Sequence, residues 1–454
     1  MSTIVAISTA PTTGGIGIVR MSGEKCFEII DKIFVPKNKD KDIEGYKFKY
    51  GNIKDGKDII DEVLVSFFVH PKSYTTEDMC EINSHGGIVV MRKILELCLK
   101  NGAELATPGE FTKRAFLNGR IDLSQAEAVA DIINAKSSKE AEVSVQQLKG
   151  FLSKEINKIK EKALEMLINI EALIDYPEYD VPEISTEKAQ NTLLEIESDL
   201  NKLIKGFDNG KIIKDGIKTV ILGRPNAGKS SLLNKLAKEE KAIVTDIEGT
   251  TRDAIEEEII IGGIPFKIID TAGIRKTENK VEKIGIDKAR KIAEESDLII
   301  AIFDISKQLN DEDKEILSII KNKKAIVLLN KIDLKTKNDK LLREIEEKGK
   351  KTLEISLLNG QGLENLYNTL IEMFNLNEIK IENGAVITNI RHKILIEKAL
   401  ENTIDAKNTI NENMPIDIIS INIKNIIENL NEIIGENVSE DLINGIFAKF
   451  CLGK

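Results

Sequence analysis

The sequence contains few of the residues on which several structural classes depend. Its 454 residues include no tryptophan, three histidines, nine prolines and four cysteines, and aromatic residues make up 4%. The cysteines form no Cys-x-x-Cys pair, so we expect no disulfide framework and a reducing compartment, the cytoplasm. No run of 18 apolar residues is present and the N-terminus lacks the apolar stretch of a signal peptide, so we predict no membrane segment.

The charge balance is acidic rather than basic. The formal net charge is −10 and the isoelectric point is about 5.3, so no global positive field favours nucleic acid. Contact with RNA would need a local patch or a basic partner. A chain of this length is long enough for two to four domains with sizeable cores.

Residues 223–230 carry the clearest motif, Gly-Arg-Pro-Asn-Ala-Gly-Lys-Ser, which fits the phosphate-loop pattern G-x-x-x-x-G-K-[ST]. An apolar run at 219–222 precedes it and a predicted helix at 231–236 follows it, which is the strand–loop–helix setting such a loop needs. A bare match is also compatible with a glycine-rich turn, but the setting favours phosphate binding. The predicted phosphate-contacting residues are Asn226, Ala227, Gly228, Lys229, Ser230 and Ser231. Lys229 would reach the outer phosphates, and the Ser230 hydroxyl would ligate Mg²⁺.

Three further motifs follow in a fixed order. Asp270-Thr271-Ala272-Gly273 comes after a strand end, where Asp270 would support Mg²⁺ and the Gly273 N–H would meet a γ-phosphate. Asn330-Lys331-Ile332-Asp333 follows a buried-strand pattern. The Asp333 carboxylate can accept two N–H bonds from guanine, and adenine offers no such pair, so this motif predicts GTP. Glu354-Ile355-Ser356-Leu357 resembles the fifth motif of GTPases, whose backbone meets the oxygen of the guanine base, so Ser356 and Leu357 are predicted to contact the nucleotide. The segment 249–253, with Thr250 and Thr251, occupies the place of the first switch.

The residue after Gly273 is Ile274, which cannot orient an attacking water as a glutamine does in Ras-type GTPases. Asn226 could instead help ligate a monovalent cation that backbone carbonyls of residues 242–250 surround. Such a K⁺ would supply the charge of an arginine finger. Glu282 is the candidate general base, with a solvated helix-start acid as the alternative. Arg252 and Arg275 are alternative charge donors, although either could be an ordinary surface or switch residue.

The organisation of the chain predicts a multidomain protein. Residues 1–118 mix short strand-like runs with a helical run near 86–100, which predicts an α+β domain. Residues 119–210 together with 380–454 predict an all-α helical domain, into which an α/β P-loop domain at 211–379 is inserted. Ser124-Gln125-Ala126-Glu127 fits a capping box that would open a helix. Two apolar stripes recur at helical spacing: Val143, Leu148, Phe151, Leu152, Ile156 and Ile159, and Ile419, Ile423, Ile426, Ile427, Leu430, Ile433 and Ile434.

The regions outside the α/β domain resemble one family closely. The motifs that carry the resemblance are 3–6, Gly14-Gly15-Ile16-Gly17-Ile18-Val19-Arg20-Met21-Ser22-Gly23, 73–78, Asn83-Ser84-His85-Gly86-Gly87, 108–119 and the closing Phe450-Cys451-Leu452-Gly453-Lys454. These motifs resemble those of the MnmE (TrmE) family of tRNA-modification GTPases. The resemblance extends over essentially the whole chain. Leu452 stands where the family usually has isoleucine.

The resemblance implies a cytosolic homodimer, joined through the N-terminal domains, with K⁺-stimulated GTP hydrolysis. It assigns Asn226, Thr245, Ile247 and Thr250 to K⁺, Ser230 and Thr251 to Mg²⁺, and Glu282 to the general base. It also implies an N-terminal domain that binds a tetrahydrofolate derivative, in the 5,10-methylene or 5-formyl form, through Arg20, Glu81, Arg120 and Lys454. With a flavoprotein partner of the MnmG type, members install an aminomethyl or carboxymethylaminomethyl group at C5 of the tRNA wobble uridine.

Three questions stay open at this point. A ribosome-assembly or other RNA-associated regulatory GTPase would share the nucleotide motifs, but it would be expected to carry a basic GXXG loop, and none is evident after residue 380. Cys451 is either a nucleophile or a buried small apolar residue, and we favour a non-catalytic role. Lys454, at the chain end, would ordinarily be frayed and solvated.

Overall fold

The computed structural model describes residues 2–38, 43–175, 186–239, 256–270, 290–334, 344–345, 350–376, 386–412 and 414–454. The chain forms two compact units. The first comprises Met1–Asn134, Ser144–Ile204 and Ile390–Lys454, and the second comprises Ala135–Val143 and Lys205–Asn389. The predicted division into three domains stays a prediction.

The first unit begins with a seven-stranded sheet. Its strands are β1 (Ile4–Ile7), β2 (Ile16–Ser22), β3 (Phe34–Pro36), β4 (Lys47–Asp55), β5 (Asp58–Phe68), β6 (Met79–His85) and β7 (Glu104–Leu105). Their order is β3-β4-β5-β6-β2-β1-β7, and every pair is antiparallel except β1 with β7. Helices α1 (Cys26–Ile33) and α2 (Ile88–Lys100) contribute Ile29, Ile33, Met91 and Ile94 to its core. The predicted α+β class is therefore confirmed.

Helices make up the rest of the first unit. They are α3 (Glu110–Leu117), α4 (Leu123–Asn134), the end of α5 (Ser138–Leu148), α6 (Phe151–Asp175), α7 (Thr186–Lys205), α12 (Ile390–Asn411), α13 (Ile416–Ile434) and α14 (Glu440–Phe447). The predicted stripe on α13 is confirmed, because Ile423, Ile426, Leu430 and Ile433 are fully buried. In the part of the chain that the structure describes, no helix combines the length and apolar character needed to cross a bilayer.

The predicted capping box at Ser124–Glu127 is wrong, although the helix exists. The cap lies two residues earlier: the Asp122 carboxylate accepts the Gln125 N–H at 2.9 Å, and the Gln125 side chain accepts the Asp122 N–H at 2.9 Å. Aspartate caps a helix as well as serine does. Glu127 is unavailable for capping because it is buried and paired with Arg391 and His392.

The stripe predicted from Val143 to Ile159 is divided between two helices. Gly150, at a φ of +80°, separates α5 from α6. Val143 contributes to the core of the second unit, whereas Leu152 and Ile156 are buried in the first. Helical spacing alone does not show which core a residue joins.

The second unit contains a six-stranded sheet. Its strands are β8 (Ile217–Leu222), β9 (Glu256–Ile261), β10 (Ile264–Asp270), β11 (Leu298–Asp304), β12 (Ala325–Asn330) and β13 (Lys351–Ile355). They lie in the order β13-β12-β11-β8-β10-β9. All neighbours are parallel except β9 with β10. Its helices include α8 (Phe207–Asp215), α9 (Lys229–Glu239), α10 (Asp311–Ile320) and α11 (Leu363–Met373).

The central strands supply side chains to two cores in alternation. Ile300 and Ile302 of β11 join one core, whereas Ala301 and Phe303 join the other. Both faces of the sheet are therefore covered, as a parallel sheet requires. The predicted doubly wound α/β domain is confirmed. Because β8, β10, β11, β12 and β13 are parallel, their carboxyl ends meet at one edge, where such sheets bind ligands.

Candidate functional site

The loop at residues 223–230 connects β8 to α9 at this edge. Asn226 and Gly228 adopt positive φ angles of 63° and 117°. At Gly228, a Cβ atom would lie 2.4 Å from Asn330 Nδ2, so only glycine fits between the loop and β12. The helix that follows begins at Lys229, which places the N–H groups of its first turn at the loop.

Lys229 lies across the loop. Its Nζ donates to the carbonyl oxygens of Gly223 at 2.7 Å and Arg224 at 3.0 Å. The ammonium group is thus held beside the loop's N–H groups, and together they offer a positive surface to an anion.

The Asn-Lys-x-Asp motif follows β12 and contacts this loop directly. Asn330 Nδ2 donates to the Ala227 carbonyl at 2.8 Å, and its Oδ1 accepts the Leu357 N–H at 3.2 Å. Asp333 Oδ1 accepts a 2.5 Å hydrogen bond from Ser356 Oγ. Asn330 therefore joins three motifs, and Ser356 orients the carboxylate predicted to read guanine.

A cavity of about 780 Å³ lies between these elements. Its lining residues are Pro225, Asn226, Gly228, Lys229, Ser230, Ser231, Asn330, Lys331, Asp333, Leu334, Leu357 and Leu358. Ala227 and Ser356 are buried behind this lining. The structure thus brings the predicted phosphate-contacting and base-contacting residues around one space, and their individual binding roles stay predictions. Sequence reasoning did not single out Pro225, Leu334 or Leu358.

Several predicted residues lie outside the described residues. They are Thr245, Ile247, Thr250, Thr251, Thr271, Ala272, Gly273 and Glu282, together with the side chain of Asp270. The backbone of Asp270 ends β10. The assignments for K⁺ and Mg²⁺ in the first switch, and for the general base, therefore stay predictions.

Two buried carboxylates that sequence reasoning missed support the nucleotide loops. Asp304 ends β11 and accepts a 2.6 Å bond from Lys331 Nζ. Burial opposes ionisation of Asp304, but hydrogen bonds from Lys331 and Ser306 hold its pKa below the usual range. Asp313 pairs with Arg224 at 3.2 Å. Burial raises the Asp313 pKa, against the Asn310 N–H and Arg224, which lower it.

A second polar cluster lies in the first unit around Tyr74. Arg20 forms an ion pair with Glu81 at 2.7 Å, and its guanidinium carbon lies 5.6 Å from the centre of the Tyr74 ring. Arg120 stacks on the same ring at 4.7 Å. Tyr74 lies in the motif at residues 73–78, and the sequence alone predicts no role for it. Its ring brings together two cations that are 100 residues apart in the sequence.

The C-terminal residues lie beside this cluster. The Gly453 carbonyl accepts Ser8 Oγ at 3.0 Å and Arg20 Nη1 at 3.5 Å, and the Lys454 carbonyl accepts the Phe111 N–H at 3.2 Å. The backbone at Lys454 is thus hydrogen-bonded rather than frayed. The structure brings Arg20, Glu81, Arg120 and the backbone of Lys454 together. Cys451 is exposed, so its interpretation as a buried apolar residue is wrong.

The fold and the site define a class of protein. A phosphate loop follows β8, an Asn-Lys-x-Asp motif follows β12, and both line one cavity at the carboxyl edge of a mainly parallel sheet. This combination defines a P-loop GTPase domain.

Comparison with known proteins defines the family. The protein-family model described as "MnmE helical domain" matches residues 123–451. The family model described as "GTP-binding protein TrmE N-terminus" matches residues 3–120. Proteins named tRNA modification GTPase MnmE from Acetivibrio thermocellus, Alkaliphilus oremlandii and Clostridioides difficile are 48%, 49% and 48% identical. Each alignment covers 100% of this chain and 99% of the relative. The chain belongs to the MnmE family of GTPases.

A solved structure also matches part of the chain. It is described as the G domain of the T. maritima FeoB iron transporter, and it is 25% identical over 35% of this chain and 98% of its own length. The TM-score is 0.26, which is too low to show a shared fold.

Proposed function

We propose that this chain is a K⁺-stimulated GTPase that acts in modification of the tRNA wobble uridine at C5. With a flavoprotein partner of the MnmG type, it would install an aminomethyl or carboxymethylaminomethyl group, and the carbon would come from a tetrahydrofolate derivative. The observation that carries this proposal is 48% identity, over the full chain, to relatives named tRNA modification GTPase. An identity that extends through all regions argues for a shared activity and not only a shared nucleotide domain.

The nucleotide site supports GTP as the ligand. The lysine and N–H groups of the phosphate loop would hold the phosphates, and Asp333 would accept two hydrogen bonds from guanine. Ser230 lines the cavity at the start of α9, and its hydroxyl fits the oxygen-donor chemistry that Mg²⁺ prefers. Mg²⁺, held by Ser230 and Thr251, would neutralise charge on the phosphates. In this proposal Glu282 acts as the general base.

The cluster around Tyr74 supports a folate ligand. Arg20 and Arg120 can donate hydrogen bonds to oxygen atoms of a folate, and the Tyr74 and Phe111 rings offer aromatic faces near Arg20. Glu81, an acceptor beside them, suits the amino and ring N–H groups of a pterin. Lys454 completes the proposed set. We further propose a cytoplasmic homodimer that binds tRNA.

The proposed cation dependence makes a direct prediction. GTP hydrolysis in K⁺ buffer should exceed that in Na⁺ buffer several-fold, because K⁺ near Asn226 would replace an arginine finger. Asn226→Ala should remove the difference between the two salts. Steady-state phosphate release, measured at equal ionic strength, tests this. Equal rates in both salts for the unmodified chain would refute the K⁺ assignment and leave the GTPase assignment intact.

The proposed pathway role makes a second prediction. A strain that lacks the gene should contain wobble uridines unmodified at C5, as measured by nucleoside mass spectrometry. Complementation with Arg20→Ala should not restore the modification, although purified Arg20→Ala should hydrolyse GTP normally, because Arg20 lies outside the nucleotide cavity.

Arg92→Ala is the matched control, since Arg92 is an exposed arginine on α2, a helix that packs on the same seven-stranded sheet of the first unit. It should restore modification fully. Normal modification in the deletion strain would refute the proposed function. Restoration by Arg20→Ala would refute only the folate site.

A further inference from the structure

The side chain of Arg224, the second residue of the phosphate loop, does not line the nucleotide cavity. It is 12% exposed, and its Nη1 lies 3.2 Å from Asp313 Oδ2 and 3.3 Å from the Gln308 carbonyl oxygen. A long cationic side chain that is largely removed from solvent loses rotamer freedom and hydration. Here the Asp313 carboxylate offsets that cost.

Asp313 is itself held rigidly. It lies in the first turn of α10, where its Oδ2 accepts the Asn310 N–H at 3.2 Å and its own N–H donates to Asn310 Oδ1 at 2.9 Å. Its side chain is 3% exposed. Among the described residues, no hydrogen-bond donor reaches its Oδ1. The carboxylate is thus fixed by a helix cap, and Arg224 is the cation that balances it.

The backbone of Arg224 forms part of the phosphate site. Its carbonyl oxygen accepts Lys229 Nζ at 3.0 Å and the Ala227 N–H at 3.2 Å. The residue whose side chain is anchored to α10 therefore also closes the turn of the loop and holds the phosphate-binding lysine. Any movement of Arg224 would displace both.

We propose that Arg224 and Asp313 are positioning residues for nucleotide binding. Their ion pair fixes the loop in its binding conformation before the nucleotide arrives, so that little ordering is required on binding. Neither side chain needs to touch the nucleotide. The inference rests on the assignment of the loop as the GTP phosphate site.

Arg224→Ala and Asp313→Asn should each raise the dissociation constants for GDP and GTP by roughly tenfold, since each removes a largely buried charged pair. The turnover number at saturating GTP should change by less than about twofold, because the saturated loop is ordered by its ligand. Titration with fluorescent GDP and steady-state hydrolysis by the full chain measure the two quantities. Lys314→Ala is the control: it removes an exposed pair with Asp311 in the same helical turn, and it should leave both quantities unchanged.

Combining the two substitutions tests the pairing itself. Arg224→Ala with Asp313→Asn should weaken binding no more than the stronger single substitution, because both remove one interaction. A double variant that raised the dissociation constant by the product of the two single effects would overturn the proposal. So would a lowered melting temperature with unchanged affinity, which would mean that the pair only stabilises the fold. Failure of the unmodified chain to bind GDP would instead contradict the site assignment.

Discussion

Asp333→Asn is expected to lower the affinity for GDP by at least about a hundredfold and to raise the affinity for xanthosine diphosphate (XDP). The carboxylate accepts from two N–H groups of guanine, and the asparagine amide presents a donor to the guanine amino group. Loss of two charge-assisted bonds at about 1.5–3 kcal/mol each gives this magnitude. Xanthine carries a carbonyl at the same position, so it would accept from the amide. Ser356 Oγ, 2.5 Å from Asp333 Oδ1, keeps the side chain oriented.

Displacement titrations with GDP and XDP measure the change in relative affinity for the two nucleotides. Asp311→Asn provides the matched control, because the Asp311 side chain is fully exposed and does not line the cavity. It should keep the preference for GDP. If Asp333→Asn also kept that preference, the base would be read by other groups, and the assignment of the Asn-Lys-x-Asp motif to guanine would be wrong.

Glu127→Ala should destabilise the helical part of the first unit by about 3–5 kcal/mol, because it removes a buried carboxylate and leaves the largely buried side chains of Arg391 and His392 without their shared partner. Glu127 Oε2 lies 2.6 Å from His392 Nε2 and 3.0 Å from Arg391 Nη2. Arg391 also donates to the carbonyl oxygens of Glu432 and Ile433, so the cluster joins α4, α12 and α13. Hydrogen exchange of peptides from these helices should accelerate by about a hundredfold or more.

The control for this cluster is Glu436→Ala. Glu436 is 54% exposed and pairs with Lys160, and exposed pairs contribute about 0–1 kcal/mol. Its removal should barely change exchange. Equal protection in the unmodified chain and Glu127→Ala would contradict the proposed contribution of the buried cluster.

The same cluster should make stability depend on acid pH. Burial favours the neutral form of Glu127, but the charge and hydrogen bond of His392, followed by those of Arg391, lower its pKa from 4.5 to about 2. Because the pKa of Glu127 is lower in the folded chain than in the unfolded chain, its ionised carboxylate stabilises the fold at pH values above the unfolded pKa. This stabilisation is lost as the pH falls towards the folded pKa. Roughly 3 kcal/mol should therefore be lost between pH 4.5 and 2. Glu127→Gln should flatten this part of the profile.

Much of the nucleotide site could be predicted from sequence because its parts are local. The phosphate loop, the strand before it and the helix after it occupy one continuous segment, and Asn330 to Asp333 directly follow a buried strand. A parallel sheet then places both motifs at one edge. The contacts between the motifs, such as Asn330 with the Ala227 carbonyl, follow from that edge but are not visible in the sequence.

The sequence-based interpretations of Glu127 and Val143 missed the tertiary contacts of these residues for the same reason. Glu127 matched a capping pattern, but its partners lie 264 and 265 residues away in the sequence. Val143 fitted a helical stripe, yet it contributes to the core of the other unit. Local patterns describe spacing along one element, whereas a side chain's partner depends on which elements pack together.

The sequence by itself determined the classes of the elements, the phosphate loop, the preference for guanine and the family resemblance, because each depends on residues close together in the chain. Only the tertiary structure decided that Arg224 pairs with Asp313, that two arginines approach the Tyr74 ring, and that the Gly453 carbonyl accepts a hydrogen bond from Arg20, 433 residues away in the sequence. Such contacts depend on which distant segments share a core or a sheet edge, and no local periodicity encodes that choice.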